Sequence, residues 1–347
     1  MTSMTDDVYQ AFLHSGTVFS KDRENLLIGW GKRKWSTTWP IGEGPNFYFP
    51  DFFLKIGMPW FIHEEWMEIS IEEFKAFLPK KSEGEKMIWQ LSTALFESTF
   101  AELKKRIALS DLIKAVPYLF EKTDALMTSK RLETTLSHVI DYLLSYPVYL
   151  YGLWGQGEGF LGATPEILFN QTKKKHIETV ACAGTYFPEH TPLDNKLLLE
   201  HQVVIDGICS SLQPFGTVKL ETSRPIKFGE LFHLVTPIEL LLNEPLNFQK
   251  LVRAMHPTPA LGAFPKKEGM LWLEQYQMKL PRGRFGAPAG FYFRDRSQCV
   301  VSIRNVQWDG RGMKIGAGCG IVRGSEFDSE LREIKLKLTA IKEFLYL

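Results

Sequence analysis

No apolar run in this 347-residue chain approaches the roughly 18 residues that a membrane-spanning helix needs, so no span is expected. Cysteine is scarce: Cys182, Cys209, Cys299 and Cys319 stand far apart and form no C-x-x-C pair. In a chain of this size they read as reduced, mostly buried thiols. Net charge is nearly absent, with 41 Lys+Arg against 40 Asp+Glu, so there is no electrostatic footprint for DNA or RNA. A small anion needs only a few local cations and remains a candidate partner. The opening MTSMTDDVYQ is acidic and lacks the basic and apolar regions of a secretory signal, which makes cytoplasm the expected compartment. Repeats, low-complexity tracts and long linkers are missing as well.

Aromatic residues are plentiful, and five of the nine tryptophans fall in residues 1–80. There FYFPDFFLKI and PWFIHEEWMEI read as short strands broken by Pro and Gly, packing aromatics onto a main core. Helical periodicity follows at about 82–110, and KAVPYLF reads as an edge or irregular strand because of Pro117. Residues 130–145 look helical, and VYLYGLWGQGEGFLGATPEILF reads as a hairpin turned by Gly155, Gly157 and Gly159. Beyond it come the strand HIETVACAGT, a helix near 193–213, the strand LFHLVTPIEL, and helices near 247–255 and 268–278. A meander over 286–322 and a long helix from about 326 complete the pattern. Strands in hairpins with helices between pairs indicate an α+β fold with mainly antiparallel sheets.

Gly157-Glu158-Gly159-Phe160-Leu161-Gly162 formally matches the dinucleotide fingerprint G-x-G-x-x-G. A strand pattern with Pro165 follows where that motif needs a helix, so a nucleotide site is rejected. On the last helix Leu331, Ile334, Leu338, Ile341 and Leu345 form one apolar stripe, and Glu326, Glu330, Glu333 and Lys337 run along its edge. Such carboxylates either line a cleft or form a solvated flank with pairs such as Glu333–Lys337. The helix near 197–212 repeats the arrangement, with Glu200 at the edge of its apolar arc and His201 pointing inward as a hydrogen-bonded core residue. Two helix-edge glutamates can share a hard cation such as Mg2+. Just ahead of the last helix, Gly316, Gly318 and Gly320 alternate, leaving bare backbone to approach a ligand or to pack tightly. Arg304 in VVSIR is the kind of donor that grips a carboxylate bidentately, or else a surface arginine.

These segments, in order, resemble the chorismate-utilising enzymes. The matching pieces are LGATPEILF, ACAGT, Glu200-His201, LFHLVTPIE, HPTPALGAFP, RGRFGAPAGF, VVSIR, GAGCGIV and SELREIKLKL. They cover 105–347, the motif-bearing part of what reads as a single domain over 1–347 with an aromatic-rich 1–80. The resemblance implies two packed, mainly antiparallel sheets with helices outside, and Mg2+-bound chorismate. By motif position it implies Glu200 and Glu333 as metal ligands with Glu330 close by. Arg304, Lys337 and the backbone of Gly318 and Gly320 are then the carboxylate binders. Gly184 and Thr185 border the ring, and His233 and His256 are pocket residues.

Family members that use water as nucleophile carry a lysine base before a short strand, and the glutamate of G-A-S/T-P-E protonates the leaving 4-hydroxyl. Glu166 matches the acid. Lys114 is the candidate base, and Arg106, in RIALSD, is the alternative occupant of that slot; an arginine cannot act as a base near neutral pH. Such a lysine must be held partly neutral, and the acid's pKa raised. Ala183 stands where aminodeoxychorismate synthases typically carry lysine, which favours water. Where relatives often read K-D-x-x-E-H, this chain has Leu197 after Lys196.

The resemblance therefore implies isochorismate synthase, acting on chorismate as a monomer without an obligatory amidotransferase partner. Salicylate synthase, anthranilate or aminodeoxychorismate synthase, and a non-catalytic binding protein of the same fold are the alternatives. The product would serve menaquinone, a catecholate siderophore or salicylate, and these three stay open.

Overall fold

The computed structural model describes residues 4–79, 87–186, 195–228 and 231–347. Two antiparallel sheet halves form the body. In one, strands Trp60–Ser70, Asn25–Ser36, Gly16–Ser20, Tyr149–Gly155 and Glu158–Thr164 lie side by side in that order. The row continues through Asn305–Asp309, Gly312–Gly318, Tyr118–Thr123 and the short edge Gln90–Leu91. In the other half Asn46–Tyr48 pairs with Pro288–Phe293, followed by Arg296–Val301, Ile167–Lys173, His176–Tyr186 and Leu231–Leu242. Gly216–Leu220 and Arg224–Phe228 both add to Leu231–Leu242. The halves are joined where Phe47 and Tyr48 pair with Phe61 and Trp60.

The aromatic opening is thus part of the sheet: Gly16–Ser20 is hydrogen-bonded to Tyr149–Gly155. Its side chains supply both cores. Trp60, Phe12 and Phe74 enter the main cluster, whereas Phe19, Phe47, Phe49 and Phe61 join Tyr151, Phe160 and Phe291 in a second, largely aromatic one. Edge-to-face pairs such as Phe19–Phe291, at 5.3 Å between centroids, add to the apolar burial.

The last helix, Phe327–Leu345, buries Ile334, Leu338, Ile341 and Leu345 of the stripe read from the sequence, and its fifth member, Leu331, is half-buried. Each such side chain is worth about 1.5–3 kcal/mol relative to exposure. This helix packs on Gly312–Gly318, and helix Asn195–Leu212 packs on His176–Tyr186, so each lies against one of the glycine-bearing strands.

Several local expectations change. The helix expected from about 82 starts at Ala94, because Gln90 and Leu91 instead pair with Lys122 and Glu121 as a sheet edge; residues 80–86 lie outside the described residues. PWFIHEEWMEI is one unbroken strand, Trp60–Ser70. FYFPDFFLKI keeps only Asn46–Tyr48 as strand, and Asp51 turns the rest by accepting the Lys55 N–H at 2.6 Å. KAVPYLF divides at Pro117 into Lys114–Ala115 and Tyr118–Thr123.

The rejected nucleotide motif also finds its explanation. The hairpin turn sits at Gln156-Gly157, both with positive φ (55° and 80°). Gly159 lies within the strand, where a Cβ would come 2.5 Å from the Trp308 ring. At Gly162 a Cβ would come 2.6 Å from the Arg304 carbonyl. These glycines serve a turn and two close strand contacts.

Candidate active site

One cavity gathers residues from strands and helices that are far apart in sequence. Glu166, Gly184, Thr185, Glu200, His233 and Arg304 line it, together with Gly316, Gly318, Gly320 and Lys337. Each is positioned by a local feature of the chain.

Arg304 follows strand Arg296–Val301 in a left-handed conformation (φ 56°), unusual for a residue with a Cβ. Neighbouring groups hold that backbone. The Tyr151 hydroxyl donates to the Ile303 carbonyl at 2.6 Å, and Asn305 Nδ2 donates to Ser302 O at 2.9 Å and to the Tyr151 hydroxyl at 3.0 Å. An outlier of this kind costs of order 1–3 kcal/mol and persists only where the surroundings over-determine it. Here it turns the guanidinium toward the cavity, where Arg304 Nη2 donates to His233 Nε2 at 3.0 Å.

That bond fixes a chain of donors. Burial, with Arg304 and Lys337 nearby, holds His233 well below the usual imidazole range, so the ring is neutral. Because Nε2 accepts, Nδ1 carries the proton and donates to Thr185 Oγ1 at 3.2 Å. The Thr185 hydroxyl hydrogen is then available to the cavity. Gly184, with φ 77°, lets the strand bend there, and a Cβ on it would sit 3.0 Å from Leu197 Cγ. Leu197 thus packs beneath Gly184, in the place where the family pattern carries aspartate.

Glu166 is 5% exposed. Burial pushes its carboxyl up to about 7, against the pull of the Thr258 hydroxyl, Lys114, Arg304 and Lys337. Thr258 Oγ1 donates to Glu166 Oε1 at 3.3 Å. Thr258 is the threonine of the HPTPA segment, to which the sequence alone assigns no role. The exchange of apolar burial for one hydroxyl leaves a carboxylic acid that keeps its proton near neutral pH.

Three glutamates each face a lysine. Lys114, fully buried, donates to Glu200 Oε1 at 3.0 Å; Lys196 lies 2.6 Å from Glu330 Oε1; Lys337 donates to Glu333 Oε1 at 2.6 Å and to the Gly318 carbonyl at 3.0 Å. Burial alone would raise the Glu200 carboxyl, but Lys114 and Lys196 outweigh it and hold the group below its usual value. Burial and Glu333 push Glu330 up, with Lys196 opposing. Lys196 feels all three carboxylates, which ties the two helices together at this point. The Glu333–Lys337 pair expected of a solvated flank therefore forms at the edge of the cavity. A side chain at Gly320 would displace the Glu200–Lys114 pair: its Cβ would lie 2.1 Å from Glu200 Oε1 and 2.6 Å from Lys114 Cε.

Lys114, Glu330 and Glu333 do not line the cavity themselves: Lys114 and Glu333 join it through their partners Glu200 and Lys337, and Glu330 pairs with Lys196, which does not line it either. Two further positions fall elsewhere. His256 stands outside the cavity wall, its Nε2 2.7 Å from the Phe52 carbonyl and its ring against Phe52. Arg106, the alternative occupant of the base slot, lies on helix Ala94–Ala108 and pairs with Asp111 at 2.6 Å. His201 bonds Thr236 Oγ1 at 2.8 Å as a core residue, and all four cysteines are free. Among the described residues no three His, Cys, Asp or Glu side chains converge as they would around a bound ion. The donors present are nevertheless hard carboxylate oxygens from two facing helices, neutralised one by one by lysine, a set chemically suited to Mg2+.

Among known proteins, the chain shares 34% identity over 201 residues with the salicylate biosynthesis isochorismate synthase of Pseudomonas aeruginosa, 54% of this chain and 42% of that protein. It shares 30% over 209 residues with isochorismate synthase MenF of Bacillus subtilis, 55% of this chain and 43% of that protein. The matched segments thus span less than half the length of either relative. Two solved structures share the fold: MenF of Escherichia coli (TM-score 0.79, 18% identity, 96% of this chain and 89% of that one) and DhbC of Bacillus anthracis (0.76, 17%, 96% and 97%). No described helix is long and apolar enough to cross a membrane. The sequence model for the chorismate binding enzymes matches residues 80–346, more than half of the chain, and the protein belongs to that family.

Proposed function

We propose that the protein is an isochorismate synthase, a Mg2+-dependent isomerase that adds water at C2 of chorismate and expels the 4-hydroxyl. The observation that carries this reading is Glu166, a buried carboxyl in the cavity whose proton is held to about pH 7, as a general acid for a poor leaving group requires. The names of the sequence relatives support the same reaction.

In this mechanism Arg304 and Lys337 bind the substrate carboxylates, with the Thr185 hydroxyl as a further donor. Lys114 acts here as the neutral amine, released from its ion pair with Glu200: it takes a proton from the attacking water as the water oxygen bonds to C2, the ring double bonds shift, and Glu166 protonates the departing 4-oxygen. One water enters and one leaves, so the reaction is balanced and reversible. Mg2+ would be held by Glu200 and Glu333, with Glu330 behind them, and would neutralise substrate carboxylate charge. Each carboxylate already faces a lysine, so a dication and a dianion entering together leave the local charge unchanged. Ala183, which lines the cavity, leaves no lysine to accompany an amine nucleophile. No amidotransferase partner is needed for water, and the cytoplasm is the natural compartment for the substrate.

The test is incubation of purified protein with chorismate and Mg2+, with and without ammonium, and chromatography of the products. Isochorismate alone is expected. Salicylate with pyruvate would shift the assignment to a salicylate synthase, an amino-substituted ring would refute water as nucleophile, and no turnover would leave a binding protein.

A further inference from the structure

A second cleft, of about 640 Å3, is lined by strands of the first sheet half, at the end where Tyr149–Gly155 turns into Glu158–Thr164 and Asn305–Asp309 into Gly312–Gly318. Lys314 lines it, whereas Gly316 and Gly318 of the same strand line the first cavity. At about 3.4 Å per residue the two are separated by roughly 7–14 Å along the strand. The loop between Pro281 and Gly286 divides them: Arg284 faces the cleft and Phe285 faces the cavity.

The cations of this cleft are unusual. Arg33, Arg284 and Lys314 are each partly buried, yet among the described residues none has a carboxylate within ion-pair distance. Arg33 donates to the Gly16 carbonyl at 3.2 Å and to that of Trp154; Arg284 donates to Phe49 O at 2.6 Å and Pro50 O at 2.5 Å; Lys314 donates to Pro281 O at 3.2 Å. Carbonyl dipoles offset part of the desolvation of a buried cation but none of its charge. Burial lowers the pKa of all three groups; Asp51 and Glu158 oppose it at Arg284, and at Lys314 the neighbouring Lys122 adds to it while Asp309 opposes. The acidic residues of the cleft, Asp124, Glu158 and Asp309, are exposed. Trp35, 39% exposed, and the largely buried Trp308 are among its lining residues. The volume is that of a small-molecule site.

We propose that this cleft is a second ligand site, taking a small aromatic carboxylate whose charge meets Arg33, Arg284 and Lys314 and whose ring lies against Trp35 and Trp308. Neither the ring nor the charge alone satisfies the cleft: Trp35 offers exposed apolar surface, and the three cations have no carboxylate in contact, only the longer-range field of Asp51 and Glu158 on Arg284 and of Asp309 on Lys314. The site is independent of the reaction proposed for the first cavity.

The experiment titrates 2-hydroxybenzoate into the Arg304→Met protein by calorimetry, so that the first cavity has lost its guanidinium. Saturable binding is expected there, weakened about tenfold when Lys314→Met is added, the loss of one charge-assisted contact. Methionine keeps an unbranched stem beside the Phe120 ring, over which the ammonium sits at 4.7 Å. Circular dichroism and melting establish that the double variant is folded, and Lys122→Met, at an exposed position of the neighbouring strand, provides a second and smaller weakening. Benzamide and inorganic phosphate should both bind at least tenfold more weakly than the probe. No binding in the Arg304→Met protein would overturn the proposal. So would binding indifferent to both lysine variants, or benzamide or phosphate matching 2-hydroxybenzoate.

Discussion

Glu166→Gln should make the protein more stable while removing its activity, and the size of the gain follows from the site. The carboxyl has a reference pKa of 4.5 and about 7 in the fold, raised chiefly by burial. Below pH 4.5 both folded and unfolded chains hold the proton, and ionisation contributes nothing. Between 4.5 and 7 the unfolded chain releases it while the folded chain keeps it, so folding stability falls by about 1.4 kcal/mol per pH unit. Above pH 7 the accumulated loss is about 3 kcal/mol. Glutamine is isosteric, cannot ionise, and its amide oxygen still accepts the Thr258 hydroxyl. Urea unfolding of wild type and variant between pH 5 and 8.5 measures the difference. A variant less than about 1 kcal/mol more stable is expected at pH 5, and one about 3 kcal/mol more stable at pH 8.5. Turnover should fall about 10²–10⁴-fold, and wild-type turnover should decline above about pH 7 as the acid loses its proton. A stability difference independent of pH would refute the argument that burial holds this proton.

Lys114→Met should abolish turnover and cost about 3–5 kcal/mol, because Glu200 loses its buried partner; Arg106→Ala should change kcat less than about twofold. Both are read from initial rates with chorismate and from denaturation. Gly162→Ala puts a Cβ against the Arg304 carbonyl, so KM for chorismate should rise about tenfold or more, with a loss of about 2 kcal/mol in stability. Equal KM in the two proteins would contradict the role given to Arg304. Mg2+ and chorismate should each raise the other's affinity at least about tenfold, measured by equilibrium dialysis with a slowly reacting variant such as Glu166→Gln. Independent binding would argue against the paired lysines and glutamates as the shared site.

Periodicity and turn chemistry made most of the fold legible. The closing helix and the hairpin over 149–164 appear where the pattern puts them, since each is set by local sequence; the meander expected over 286–322 is instead two hairpins in different sheet halves, the chain crossing between them at 302–304. The start of the helix at Ala94 was not legible, because Gln90 and Leu91 answer to a strand partner some thirty residues away. The carboxylates on the two helices could be placed on helix edges, but no spacing reveals that Lys196 joins them. Thr258 was hidden for the same reason: its contact with Glu166 spans 92 residues. His256 shows the opposite error, a motif residue whose ring serves the backbone of Phe52 rather than the cavity.

The pairing of Asn46–Tyr48 with Pro288–Phe293 sets the order in which the chain can assemble. The partner strand is made some 240 residues later, which at about 5–20 residues per second means roughly 12–50 s of synthesis. Until then Phe47, Phe49 and Phe61 lack Phe291 and Phe293, with which they form the second core. Contacts this distant in sequence slow folding through the entropy of closing long loops. The aromatic density that stabilises the finished sheet is thus also what exposes the nascent chain to aggregation, and closure of the second core must be a late event in folding.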